Sequence, residues 1–165
     1  MKTLLSMIAL VVLCFFGQAF GQTGVGEGGA SLEVENIPAT KIGGKFKYAV
    51  KFLCLEQSPF LAAGTYRTAI NILNPQGNPV TFTKKGVQTK PEGEPQSPLG
   101  LLKTETLDPD KGVEITCNNI ILELLGAPGL DFPATGFVVI ESPKELNVTA
   151  VYTGPPIIFV APPPT

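Results

Sequence analysis

Ten residues, KFKYAVKFLC at positions 45–54, constrain this chain more than any other stretch. Phe46, Tyr48, Val50, Phe52 and Cys54 fall at every second position, and Lys45, Lys47 and Lys51 occupy alternate places. Successive side chains of an extended chain point to opposite faces, so this is a strand with one dry face and one wet, lysine-bearing face.

The same period returns at 65–73, where Tyr66, Thr68, Ile70 and Ile72 alternate with Arg67, Ala69, Asn71 and Leu73. Because Ala69 and Leu73 share the second face, the far end of this strand is expected to be buried on both sides. Asn74-Pro75 and Asn78-Pro79 stop it, since proline lacks the amide a sheet ladder needs and restricts the residue before it. Gln76-Gly77-Asn78 supplies a turn. Val80-Thr81-Phe82 then resumes the alternation, and residues 68–85 are expected to form a β-hairpin.

Other short strands are expected at Leu32, Val34 and Ile37, at 101–107, at Val113, Ile115 and Cys117, and at 157–160. Residues 136–141 and 145–152 are expected to make a second hairpin around Ser142-Pro143-Lys144. Turns are expected at Lys41-Ile42-Gly43-Gly44 and at 108–112. Asn118 or Asn119 is suited to cap a short helical turn running to Leu125, with Gly126 as its stop. Short strands with turn signals at steady intervals and almost no helical periodicity predict an all-β fold. We expect an immunoglobulin-like antiparallel β-sandwich of about seven to eight strands with one short helical turn.

The chain opens with Lys2, an apolar run over 4–16 and small residues at Ala19 and Gly21, the layout of a secretory signal peptide cleaved after Gly21. The apolar run is shorter than the ~20 residues that span a bilayer, so no stable membrane span is expected after cleavage. Leu13 before Cys14 does not suit a lipoprotein signal. Removing 21 of the 165 residues leaves 144, sized for one domain. The expected organisation is signal peptide 1–21, flexible Gly-rich lead 22–31, a single β-sandwich domain 32–160 and a Pro-rich tail 161–165. Two cysteines remain, Cys54 and Cys117, each ending an alternating apolar run. In an exported protein such a pair predicts a disulfide, and the protein is expected to be secreted, periplasmic or at the cell surface.

Five stretches taken together carry a resemblance: Y-x-V-K-F-x-C at 48–54, G-T-Y-x-T-A-I-N-I-x-N-P at 64–75, P-V-T-F-x-K-K at 79–85, L-x-P-D…E-I-x-C over 107–117 and G-F-V-V-I-E-S-P-x-E-L-x-V-T-A-V-Y-T at 136–153. The combination resembles a group of uncharacterised exported bacterial β-sandwich proteins with no assigned activity, and covers nearly all of the chain beyond the signal. It implies a fold and a compartment and transfers no site. A shorter likeness, over about 20 residues, links the N-P end of one strand and the V-x-F of the next to immunoglobulin-like domains of the major sperm protein and pilus-chaperone kind. This implies sandwich topology alone.

The chain contains no histidine, which removes the usual base of Ser-His-Asp and Cys-His acyl transfer. No S-x-x-K spacing is present. Four zinc ligands are not available from one cysteine pair. No enzyme activity, cofactor or metal is expected. Glycoside hydrolysis needs only two carboxylates and stays as a second alternative, although the acidic residues fall mostly in turns and on wet faces. Asp108-x-Asp110-x-Gly112-x-Glu114 spaces oxygens as some calcium loops do but lacks the closing carboxylate, and a type I turn with Pro109 second accounts for it. Asn147-Val148-Thr149 fits the N-glycosylation pattern on an outward strand face, a triplet that also arises by chance.

Basic residues look scattered along the sequence, so nucleic acid is not an expected partner. The Pro-rich stretch 86–100 is expected to be a long surface loop, and long loops on rigid sandwiches often carry recognition. Lys84 and Lys85 at its base, with Lys90, Glu92 and Glu94 within it, are the candidate partner-binding surface. The expected role is a non-catalytic binding module for a protein or glycan at the cell surface. The alternative is a structural subunit that self-associates by exchanging terminal strands, around 30–37 or 157–160.

Overall fold

A computed structural model describes residues 30–56, 63–127 and 133–155. The expected signal peptide, most of the Gly-rich lead, the strand at 157–160 and the tail lie outside the described residues. Among the described residues there are nine strands: β1 Ser31–Asn36, β2 Thr40–Ile42, β3 Lys45–Cys54, β4 Arg67–Leu73, β5 Val80–Gln88, β6 Lys103–Leu107, β7 Gly112–Thr116, β8 Ala134–Ser142 and β9 Asn147–Gly154. They form two antiparallel sheets, ordered β1-β9-β4-β7 and β2-β3-β8-β5-β6. The expected all-β sandwich stands. Four neighbours, β2-β3-β8-β5, follow the A-B-E-D order of an immunoglobulin sheet, and β9-β4 repeat the F-C pair of the facing one. β1 takes the place beside β9 where a seventh strand, G, would lie.

The period-two pattern is realised residue by residue. Tyr48, Val50, Phe52 and Cys54 of β3 face inward, with Ile70 and Ile72 of β4, Val80 and Phe82 of β5, Val138 and Ile140 of β8, and Val148 and Ala150 of β9. The inward set of β4 holds, but its second face is not buried, and Leu73 remains 40% exposed. The strand's outer face is open to solvent because no layer lies beyond it.

Neither expected proline-punctuated hairpin forms. β4 pairs with β7 and β9, whereas β5 pairs with β6 and β8 in the other sheet. Residues 74–79 are therefore an arch between sheets, and so are residues 143–146 between β8 and β9. The alternation of side chains fixes which face of a strand is dry, but says nothing about which sheet receives it. A six-residue break with two prolines suits a crossing of the core's thickness as well as a reversal in one plane. The hairpins that do form are β2–β3, closed by Gly43 and Gly44 at positive φ, and β5–β6. Ile42, expected in the turn, is the last residue of β2.

Asn74 is the hub of the first arch. It is fully buried, and its Nδ2 donates to the carbonyls of Leu107 at 2.9 Å, Asn78 at 3.0 Å and Asp108 at 3.1 Å. Its Oδ1 accepts from Gln76 N–H at 2.9 Å, and its own N–H and carbonyl pair with Lys111 and Asp110. One side chain thus ties the β4–β5 crossing to the β6–β7 crossing. The turn at 108–111 places Asp110 at φ 55° after Pro109, the positive φ of a type II turn rather than the type I expected. The second arch is held by Tyr48, whose hydroxyl donates to Leu146 O at 2.9 Å and accepts from Leu146 N at 2.7 Å. Gln76 Nε2 donates to Glu145 O and links the two arches.

A π-helix, Asn119–Leu124, closes one open side of the sandwich by burying Ile120, Ile121 and Leu124. Asn118 precedes it without a side-chain cap, and Gly126 ends it at φ 66°. Asn119 turns back instead, its Oδ1 accepting from the Thr116 N–H and hydroxyl. Cys54 and Cys117 form the disulfide, with Cα atoms 5.6 Å apart. It joins the end of β3 in one sheet to the end of β7 in the other.

Candidate functional site

The two lysines expected to act together are separated by the pleat. Lys84 lies on the inner face of β5, only 8% exposed, with Nζ 2.5 Å from Glu105 Oε2 on the edge strand β6. A lysine committed to that pair is not offered to a partner. Lys85 points to the opposite, outer face. Lys90, Glu92 and Glu94 are exposed in the connection between β5 and β6, which begins only after Gln88 because β5 runs on into the stretch expected to be loop. Lys84 therefore does not share an exposed surface with the other four.

Strand pairing assembles a different set. Cross-strand partners share a face, and on the outer face of the five-stranded sheet the register gives three rows. Lys47 is followed by Glu141, Thr83 and Thr104; Ala49 by Val139 and Lys85; Lys51 by Phe137 and Val87. Lys45 stands on the same face, two residues before Lys47. Four lysines therefore surround an apolar centre of Ala49, Val139, Phe137 and Val87, with Glu141 the one acidic group among these rows.

The electrostatics agree with this convergence. Lys47 Nζ lies 3.0 Å from Glu141, and its hydrogen bond, with the nearby charges of Lys47, Lys45 and Lys85, holds the Glu141 carboxyl below the usual carboxylate range against a smaller opposing effect of burial. Lys51 Nζ sits 5.1 Å from the centre of the Phe137 ring, a cation–π contact that leaves the ring 37% exposed. Three of the four lysines were visible as the wet face of KFKYAVKFLC. Only the register shows that Lys85 and Phe137 join them.

A groove of about 500 Å³ borders this face, lined by Glu35, Ile37, Pro38, Thr40 and Ile42 on one side and by Lys47, Tyr48, Ala49, Lys51, Phe137 and Val139 on the other. Its cause is local. β2 pairs with β3 only as far as Thr40 opposite Lys47. The next partner in that register is Pro38 opposite Ala49, and proline has no N–H to donate. The chain leaves there, and Ile37 N–H already bonds to Val148 O in the other sheet at 2.9 Å.

A larger hollow, about 850 Å³, opens at the arch end of the four-stranded sheet and includes Glu114 and Glu145 in its lining. Both are exposed. A glycosidase acid needs a carboxyl sheltered enough to stay protonated at neutral pH, and this hollow supplies no such environment. Among the described residues, no group of three or more His, Cys, Asp or Glu is placed to hold a metal ion, and no helix is long and apolar enough to cross a membrane.

Comparison with protein-family models, curated proteins and solved structures finds no match for this chain.

Proposed function

We propose that this protein is a non-catalytic binding module acting outside the cytoplasm, and that it engages an anionic partner through the outer face of its five-stranded sheet. The single observation that carries the reading is the gathering of Lys45, Lys47, Lys51 and Lys85 around exposed Phe137, on a chain whose net charge is −2. A net-negative protein that segregates cations onto one face has a directed field there, which steers and orients an oppositely charged partner. The apolar centre adds contact area that charge alone does not give. The extracytoplasmic setting is supported by the Cys54–Cys117 disulfide, since such bonds persist in oxidising compartments.

The alternative of polymerisation by strand exchange gains no support from β1. It pairs antiparallel with β9 of its own chain over six residues. The register turns Leu32 and Val34 outward and Glu33 and Glu35 to the inner side, and inward-pointing charge on an edge strand discourages pairing with another sheet.

The test is binding of immobilised poly-L-glutamate by the full chain, compared with the Lys51→Glu/Lys85→Glu double variant at low and physiological salt. We expect binding at low salt and a loss of about tenfold or more in the variant, with a weaker salt dependence. Equal binding by both proteins, or none by either, overturns the reading.

A further inference from the structure

The groove beside Ala49 bears an open sheet edge, and we infer that this edge receives an extended peptide of alternating acidic and apolar residues as an added strand. The inference rests on the charged face proposed above and specifies its partner. In an antiparallel ladder every second residue turns both backbone groups to the same side. On β3 that side, facing β2, belongs to Lys45, Lys47, Ala49, Lys51 and Leu53. Lys45 and Lys47 are paired with Ile42 and Thr40. At the far end Leu53 N–H donates to Thr68 Oγ1 at 2.9 Å, Leu53 O accepts from the same hydroxyl, and Lys51 O accepts from the Tyr152 hydroxyl at 3.1 Å. Between these closed ends, no hydrogen bond among the described residues reaches the edge groups of Ala49 or the N–H of Lys51.

At Ala49 the edge's own side chain leaves room as well, while Tyr152 and Glu35 close the Lys51 carbonyl end. Ala49 is exposed in the middle of β3, whose neighbouring positions 46–48 and 50–54 are partly or wholly buried. A methyl group there does not obstruct an approaching backbone. Two features keep the described residues preceding β2 from filling it: Pro38 cannot supply the missing amide, and the chain before it is committed to the other sheet through Ile37.

The pattern of the occupant follows from the faces. A residue of the added strand opposite Ala49 or Lys51 shares the outer face, where Lys47 and Lys51 flank it, so carboxylates are favoured there. Its neighbours turn toward the inner side, beside Ile37, Tyr48 and Glu35 of the groove, where apolar side chains are favoured because a carboxylate would face Glu35. Main-chain bonds over two or three residues give modest affinity, and the alternating side chains give selectivity, as in other strand-addition complexes.

The experiment uses acetyl-Val-Glu-Val-Glu-Val-amide, the same peptide with its central residues N-methylated, and a version with Lys in place of Glu, each titrated into the ¹⁵N-labelled full chain. We expect the first peptide to slow hydrogen exchange at the Ala49 and Lys51 amides, with affinity at least about tenfold above the other two, the loss expected when one or two ladder bonds or the charge match is removed. N-methylation acts on the peptide, so the result does not depend on a variant protein folding. Equal binding of the parent and N-methylated peptides, with retention on poly-L-glutamate intact, overturns strand addition and leaves the charged face standing. Failure to bind any peptide also overturns strand addition, and if poly-L-glutamate binding is absent too, both readings fall.

Discussion

At the residue scale, two polar side chains carry more of this fold than their exposure to notice in the sequence suggests. Asn74 and Tyr48 each satisfy main-chain groups of a crossing that no sheet ladder can reach, and buried carbonyls left without donors are costly. Asn74→Ala deprives three carbonyls and one N–H of their partner, and we expect a loss of about 3 kcal/mol in urea unfolding, since each buried group left unpaired costs about 1–3 kcal/mol and neighbouring losses do not fully add. Asn74→Asp should rescue little, because it keeps the acceptor for Gln76 and loses every donor. Tyr152 gives a pH signature. Burial first, then the nearby charge of Glu35, its hydrogen bond and the charge of Glu33, push this phenol up to about 12 from an ordinary 10. A raised folded-state value means that the stabilising contribution is full below pH 10 and is lost as pH climbs through about 12. Burial also raises the Tyr48 phenol, so phenolate absorbance should show more than one late-titrating phenol, and Tyr152→Phe should remove the component near pH 12. A titration unchanged by that substitution would contradict the contacts seen here.

At the scale of elements, much of the fold was legible and the pairing was not. The strands at 45–54 and 67–73, their dry faces and the helical turn stopped by Gly126 follow from side-chain period and local backbone chemistry, both of which are written within a few residues. Which strand lies beside which depends on contacts between distant segments, so 68–85 and 136–152 carry hairpin signals although each spans both sheets. The separation of Lys84 from Lys85 has a plainer cause. Lys84 and Lys85 are adjacent in sequence, which in a strand guarantees opposite faces. Lys47, Lys51, Lys85 and Phe137 come from three strands and meet only through register. Close backbone approach is a further tertiary fact. A Cβ at Gly100 would collide with Leu124 O, because Gly100 N–H and Leu101 N–H bond to Gly86 O and Leu124 O as the chain passes the π-helix. Gly100→Ala should destabilise by about 2 kcal/mol or more through that clash, detectable as a lower denaturant midpoint with an unchanged slope.

For the whole molecule, the disulfide is the bond whose consequence can be measured most directly. It closes a separation of 63 residues, for which chain entropy gives about 4 kcal/mol of stabilisation. Unreduced protein should therefore carry a Cys54–Cys117 cross-linked peptide on mass spectrometry, and reduction should lower the unfolding free energy by roughly that amount, more if the sheets separate at that end. Two free thiols in protein purified from an oxidising compartment would be incompatible with the structure. The arches set the tempo of folding. Only β2–β3 and β5–β6 are joined as neighbours within a sheet among nine strands, so most sheet pairings must wait until distant parts of the chain have found each other. Each such closure spends chain entropy before any bond rewards it, and folding is expected on the millisecond-to-second scale of sandwiches rich in non-local pairings. During that interval the row of apolar side chains on β3 lies open to other chains and needs shelter from them.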